Sequence, residues 1–339
     1  NTVTLLDGRM ANITSFHHDG SYGQENSIIR IDSDTYLLAY KSNGGNLKTF
    51  TIPADGSAVT QVAIHNYSGT TNYMYNNDLL QIDADTYILA YGGSDATSHS
   101  SYGQHIKTFK VKPDGSSIVQ IGHLEHDTNY GSVYFSDLVR VDHDTYALAY
   151  YGYDGGGSNS WGGWIKTFTV NGGSITQVAK LRHYTSQTKF HSFIKVDADT
   201  YALAFSDVNS DGNISTFTIP ADGSSITQAG TLEHDTDMGW YNSLVQVDDD
   251  TYALSYQGTG SDGFIKTFTI AADGATITQV AVLEHDEAYS VDNSLLKIDA
   301  NTFLLAYAGD GNDGYIKTFT IPADGSSITQ VINLEHDKV

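Results

Sequence analysis

The feature that most constrains this chain is that it repeats itself. The run Asn293 to Asp337, NSLLKIDANTFLLAYAGDGNDGYIKTFTIPADGSSITQVINLEHD, is the last of six copies. The Thr at the start of its most regular part falls at 35, 86, 145, 200, 251 and 302, in steps of 51, 59, 55, 51 and 51 residues. An uninterrupted repeat of about 40–50 residues marks stacked supersecondary units, each burying its neighbour's apolar face.

Each copy divides into four short runs. In the last, Ser294 to Ile298 ends at the turn Asp299-Ala300-Asn301. Thr302 to Tyr307 ends at Asp310-Gly311-Asn312-Asp313-Gly314, and Tyr315 to Ile321 at Pro322-Ala323-Asp324-Gly325. Ile328 to Leu334 is the fourth. Short β-rich runs separated by Asp-Gly and Pro-x-Asp-Gly are successive antiparallel hairpins. We label these strands A to D. No window carries the apolar spacing of an amphipathic helix.

Strand B decides the architecture. Its copies are Tyr36 to Tyr40, Tyr87 to Tyr91, Tyr146 to Tyr150, Tyr201 to Phe205, Tyr252 to Tyr256 and Phe303 to Tyr307. Alternate residues face opposite sides of a sheet. One side carries aromatic, Leu, aromatic (Tyr252, Leu254, Tyr256); the other is mostly small (Ala253, Ser255). Neither side suits water, so each sheet needs sheets on both sides, large face against small. Radial stacking about an axis provides this, and the fold expected is an all-β propeller of six four-stranded blades. One domain, 1–339, is expected, with blades at about 26–66, 77–127, 136–184, 191–235, 242–286 and 293–337. The longer steps come from B–C insertions at Gly92 to His105 and Tyr151 to Trp164.

Residues 1–25 break the pattern. Thr2 to Gly8 reads as the end of a C strand with its turn, and Asn12 to Asp19 as a D strand. That leaves a surplus N-terminal C–D hairpin. Three placements are open: an incomplete seventh blade, an extra edge on the ring, or strand complementation of a neighbouring subunit.

Charge narrows the function classes. Lys and Arg total 17 against 40 Asp and Glu, a formal net charge of −23. Such a surface repels nucleic acid and anionic membranes and offers carboxylates to Ca²⁺. There are no cysteines, hence no disulfide framework or thiol chemistry. No run of about 20 apolar residues is present, so membrane insertion is not expected. The chain begins Asn1-Thr2 rather than with Met, which reads as processing or excision and makes an extracellular or cell-surface setting the expectation.

The A-B-C run resembles propeller repeats of the WD40 type, without their Trp-Asp and Gly-His signatures. Asp-Thr-Tyr-Ala-Leu-Ala-Tyr at 144–150, Ile-Lys-Thr-Phe-Thr at 265–269 and Leu-Glu-His-Asp at 283–286 are similar to tandem repeats in large secreted proteins of marine microbes. That resemblance implies a surface or extracellular setting and no assigned catalytic residue.

Four groups of residues are candidates for chemistry. His recurs in the D strands at 18, 65, 126, 183, 234, 285 and 336. Each His belongs to a different sheet, so they cannot share one ion; the expected role is a hydrogen bond fixing the D-to-A corner. The A–B turns repeat Asp-x-Asp-Thr, as at Asp32 and Asp34. A catalytic pair is normally unique, so repeated copies read as turn chemistry. One B–C loop carries Asp207, Asn209 and Asp211 at positions 1, 3 and 5 of an EF-hand-like opening, with Thr218 where the bidentate Glu belongs. It is the candidate for the possible Ca²⁺; no cofactor is required. The D-to-A connections supply Tyr22, Tyr73, Tyr75, Tyr134, Phe190, Trp240, Tyr241 and Tyr289 as ligand-stacking candidates amid Asn, Ser, Gly and Asp.

No nucleophile elbow, phosphate loop or zinc spacing occurs. The expectation is a non-enzymatic recognition or adhesion module with glycans or surface proteins as partners. The alternative is a self-assembling filament or array subunit joined through the N-terminal hairpin. A hydrolase would need a unique acid pair on the inner A strands, and Glu25 beside Asn26 is the one hint of it.

Overall fold

In the computed structural model, residues 14–20, 23–69, 74–94, 103–127, 134–153 and 161–337 are described. They form six antiparallel four-stranded sheets, each built from consecutive strands. Blade 1 is β1 (Gln24–Arg30), β2 (Thr35–Ser42), β3 (Gly44–Thr51) and β4 (Thr60–Asn66). Blade 2 is β5 (Met74–Gln81), β6 (Thr86–Gly93), β7 (Gly103–Val111) and β8 (Ile118–Asp127). Blade 3 is β9 (Tyr134–Arg140), β10 (Thr145–Tyr153), β11 (Trp161–Asn171) and β12 (Ser174–Tyr184). Blade 4 is β13 (Lys189–Lys195), β14 (Thr200–Ser206), β15 (Gly212–Thr218) and β16 (Thr227–Asp235). Blade 5 is β17 (Trp240–Asp248), β18 (Thr251–Gln257), β19 (Gly263–Ile270) and β20 (Ile277–Asp286). Blade 6 is β21 (Val291–Lys297), β22 (Thr302–Ala308), β23 (Gly314–Thr320) and β24 (Thr329–Asp337). The chain is a six-bladed propeller.

The core lies between blades, as the two-faced B strand requires. Leu37, Ala39 and Leu47 of blade 1 pack on Leu79, Tyr87, Leu89 and Tyr91 of blade 2. Ala253 and Ile265 of blade 5 pack on Phe303, Leu305, Tyr307 and Phe319 of blade 6 in the same way. The A–B turns close through their first Asp: the Asp32 carboxylate accepts the amides of Asp34 and Thr35, at 3.1 and 3.0 Å. The C–D turns reach across the junction, where Thr267 Oγ1 donates to the Gly325 carbonyl at 2.7 Å. Gly325 has φ +63°, and a Cβ there would sit 2.8 Å from Thr251, so the turn admits only glycine at this approach.

The D-strand histidines correct the sequence expectation. Among the described residues, neither ring nitrogen of His126, His183, His234 or His285 has a hydrogen-bond partner. The rings act as wedges. His285 lies edge-on to Tyr307 and Phe319 of the next blade, with centroids 5.2 and 5.9 Å away. Behind it, a Cβ on Gly263 would fall 2.5 Å from the imidazole, which explains the glycine opening β19. The corner bond is made by the main chain instead: Lys166 Nζ donates to the His126 carbonyl at 2.9 Å, and Lys266 and Lys317 donate likewise to His234 and His285. Burial, then the neighbouring Lys266 or Lys317 charge, pushes the imidazoles of His234 and His285 down to about 3.

The N-terminal region also departs from expectation. Thr2 to Gly8, the proposed C strand, lies outside the described residues. Residues 14–20 are irregular rather than a D strand, so no surplus hairpin is formed by the described chain. They nonetheless lie on blade 1, with His18 edge-on to Tyr40 at 4.9 Å and Phe16 against Phe50 at 5.8 Å.

Candidate functional site

Where the six inner strands approach the axis, the repeat stops being uniform. Each has a register irregularity over the same two residues: Glu25-Asn26, Asn76-Asn77, Phe135-Ser136, Phe190-His191, Tyr241-Asn242 and Asp292-Asn293. Such bulges bend a strand and re-aim its side chains. The first residue of every pair is left-handed: Glu25 φ 55°, Asn76 49°, Phe135 60°, Phe190 53°, Tyr241 53° and Asp292 54°. For a non-glycine residue this costs roughly 1–2 kcal/mol, and for an aromatic it is rarer still.

Hydrogen bonds between blades hold this geometry. Phe135 N donates to Asn76 Oδ1 at 2.8 Å, and Asn76 N donates to Glu25 Oε2 at 2.9 Å. Asn77 and Asn242 side chains donate to the carbonyls of Glu25 and Phe190, at 2.9 and 3.0 Å. Two residues past the left-handed position, in blades 1 to 5, a side chain accepts the next blade's amide. Ser27 takes Leu79 N, Ser192 takes Leu244 N and Ser243 takes Leu295 N, at 3.2, 2.9 and 2.9 Å.

These residues line an axial cavity of about 590 Å³, with Tyr75 and the bulge residues from all six blades on its wall. Its chemistry is divided. Phe135, Phe190 and Tyr241 of blades 3 to 5 form a half-buried aromatic arc, with Phe190 4.6 Å from Phe135 and 4.3 Å from Tyr241, centroid to centroid. Asp292, Glu25 and Asn76 of blades 6, 1 and 2 form the facing polar arc. Asp292 keeps an exposed face, and partial desolvation at the axis raises its carboxyl above the usual carboxylate range.

The structure brings together some of the aromatics expected from sequence. Tyr75, Phe190 and Tyr241 line the cavity. Trp240 lies behind, 5.6 Å from Phe190 and with Lys189 Nζ 6.0 Å from its ring. Tyr289 is half-buried in the connector before β21 and does not line the cavity. Tyr22 and Tyr73 lie outside the described residues, as does the side chain of Tyr134. Glu25 and Asn26 do stand at the axis.

Sequence reasoning missed two residues. Where four copies have Ser (27, 192, 243, 294), blades 2 and 3 have Asp78 and Asp137. Asp78 accepts Leu138 N at 2.5 Å and Asp137 accepts Phe193 N at 2.6 Å. The two carboxyls also bond to each other. Burial, then the charge of Asp78, lifts Asp137 well above the carboxylate range; burial raises Asp78 as well. Both keep some solvent contact. The signal was the Asp in Asp78-Leu79-Leu80 and Asp137-Leu138-Val139, visible once the copies are aligned on Asn293-Ser294-Leu295-Leu296.

The calcium candidate loop holds a turn. Asp207 Oδ1 accepts the amides of Asn209 and Asp211, at 2.8 and 3.1 Å, and Asp207 Oδ2 accepts the Tyr184 hydroxyl at 2.6 Å. Among the described residues no group of three or more His, Cys, Asp or Glu is placed to hold a metal ion, and no helix is long and apolar enough to cross a membrane. A second cavity, about 420 Å³, lies at the blade 3 rim between Trp161, Tyr151 and Arg182. It draws on one blade, whereas the axial cavity collects side chains from all six.

No known family profile and no curated protein matches the chain. Solved structures do. A periplasmic gluconolactonase from Pseudomonas aeruginosa aligns with TM-score 0.64 at 14% identity, over 91% of this chain and 83% of that one. A Bacteroides fragilis protein, provisionally a 6-phosphogluconolactonase, aligns with TM-score 0.64 at 13% identity, over 92% and 84%. An α-L-arabinofuranosidase from Fusarium graminearum, solved with arabinobiose, aligns with TM-score 0.50 at 14% identity, over 89% and 90%. At such identities the likeness establishes the propeller fold, and nothing about activity.

Proposed function

We propose that this protein is a non-catalytic recognition module of an extracellular or cell-surface setting, which binds glycans in its axial cavity. The observation that carries this is the division of the ring. The repeat places the same backbone at six positions, yet an aromatic arc stands on one side and Asp292, Glu25 and Asn76 on the other. Sugars have apolar faces that stack on rings and hydroxyls that bond to carboxylates and amides. Strained left-handed aromatics held by a bond network fit a preorganised site. The acidic surface disfavours nucleic acid as a partner. Glycan-array screening followed by titration on Trp240 fluorescence tests the reading. Binding should be lost in Phe190→Ala and weakened in Asp292→Asn; binding that survives both substitutions refutes the axial assignment.

The Asp78–Asp137 pair favours a second reading, hydrolysis of sugar lactones. It is a non-repeated acid pair on inner strands, with one carboxyl lifted well above the carboxylate range by burial and by the charge of the other. Proton release from aldonolactones, measured against Asp137→Asn, separates the two readings: turnover that this substitution abolishes favours the hydrolase.

A further inference from the structure

Five of the six junctions in the ring are alike, and the sixth is not. Each inner strand packs on the next from β1 to β5, β9, β13, β17 and β21; among the described residues no comparable packing joins β21 to β1. The residue three places past the left-handed position is buried against the preceding blade at Leu79, Leu138, Phe193, Leu244 and Leu295, all at most 5% exposed. In blade 1 that residue is Ile28, and it is 56% exposed. The opposite face shows the same break. Val141, Val196 and Val247 are buried under the following blade, whereas their blade 6 counterpart Ile298 is 39% exposed and Leu296 beside it 58%. Among the described residues, Ser294 also makes none of the amide bonds that Ser27, Ser192 and Ser243 make to the next blade.

Residues 14–20 already supply part of what this cleft lacks. At the regular junctions a D-strand His wedges against the next blade's B-strand aromatic, its carbonyl accepts a Lys, and the following Asp accepts a Tyr hydroxyl. At blade 1, His18 wedges against Tyr40, its carbonyl accepts Lys48 Nζ, and Asp19 bonds to the Tyr40 hydroxyl. The segment thus makes the outer-strand contacts of a preceding blade. On the other side of the cleft, His336 is exposed, and among the described residues no B-strand aromatic of a following blade stands against it.

We propose that the cleft between blades 6 and 1 is a docking site for the A–B β-hairpin of one further repeat of this kind. The hairpin's aromatic face would cover Leu296 and Ile298 of blade 6. Its small face would cover Ile28 of blade 1, with residues 14–20 at its outer side. The occupant is specified by the two walls, which are the repeat's own complementary faces. Docking would insert one more left-handed residue between Asp292 and Glu25, so occupancy of the cleft would also alter the polar arc of the axial cavity. The inference does not depend on what that cavity binds.

The probe is a labelled peptide of residues 240–257, the β17–β18 hairpin, added to the full chain. Saturable one-to-one binding is expected, with new hydrogen-exchange protection in β1 and β21. Leu296→Asp lies on an exposed position and should weaken binding about tenfold, the loss of one buried leucine contact. A scrambled peptide that binds equally well overturns the proposal. An isolated hairpin is only marginally folded, so the same segment is also fused after Val339 through a copy of Glu287 to Ser290. The fusion should raise Tm by several degrees and protect β21; unchanged Tm and exchange overturn the proposal. Self-association of the unfused chain that Leu296→Asp abolishes would assign the cleft to a second copy and likewise overturn it.

Discussion

The outer belt of histidines and the inner ring of left-handed residues are both built by the repeat, one contribution per blade, and they differ in what varies. In the belt the residue type is constant and its surroundings repeat: His234 and His285 both lie edge-on to a B-strand tyrosine, at 4.8 and 5.2 Å. In the ring the backbone is constant and the side chains differ, from Glu25 to Phe190. Constant side chains in constant surroundings serve packing. Constant backbone with varied side chains is a platform on which a site is composed. Substitutions in the belt should therefore move stability alone, and substitutions in the ring should move ligand affinity.

Acid gives the largest expected break. The folded-state pKa values of His234 and His285 lie near 3, below the unfolded 6.5, so the unfolded chain takes up their protons first. Their contribution is complete above pH 6.5 and is lost as pH falls toward 3. Each such histidine should add a slope of about 1.4 kcal/mol per pH unit in that window. His126 and His183 are lowered in the same sense, by burial first. Urea melts from pH 8 to pH 4 measure this slope; a flat profile would remove the wedge account. A single belt truncation comes next. His285→Ala should cost about 3 kcal/mol in urea denaturation by leaving a cavity against Tyr307 and Phe319, with ligand titration unchanged.

The ring should respond the other way. Phe190→Asn places at that position a residue type that Asn76 already shows to be compatible with it. Relief of left-handed strain offsets the lost ring contacts, so stability should stay within about 1 kcal/mol. Glycan affinity should fall about tenfold or more. A variant that unfolds instead would put Phe190 in the same class as the histidines. The smallest effect is expected from calcium. Both Asp207 oxygens are engaged by Tyr184 and two backbone amides, so millimolar Ca²⁺ should leave Tm unmoved. A rise that Asp207→Asn removes would restore the loop as a metal site.

The sequence by itself determined the unit and how units stack. A large face and a small face on the same strand leave a sheet no solution but like sheets on either side, and the turn chemistry of Asp32 and its equivalents followed from local hydrogen bonding alone. What only the tertiary structure decided is which residues meet at the axis. Asp78 and Asp137 are 59 positions apart in the chain and become neighbours because the inner strands β5 and β9 pack side by side. Glu25 and Asp292 face the aromatics for the same reason. The left-handed ring was equally hidden, because Phe190 and Tyr241 have no intrinsic preference for that conformation and bonds from adjoining blades hold it. A periodic pattern specifies one unit and its neighbours. The meeting of blades 6 and 1 and the chemistry at the centre are properties of all the units together, and those arise only when the chain is folded.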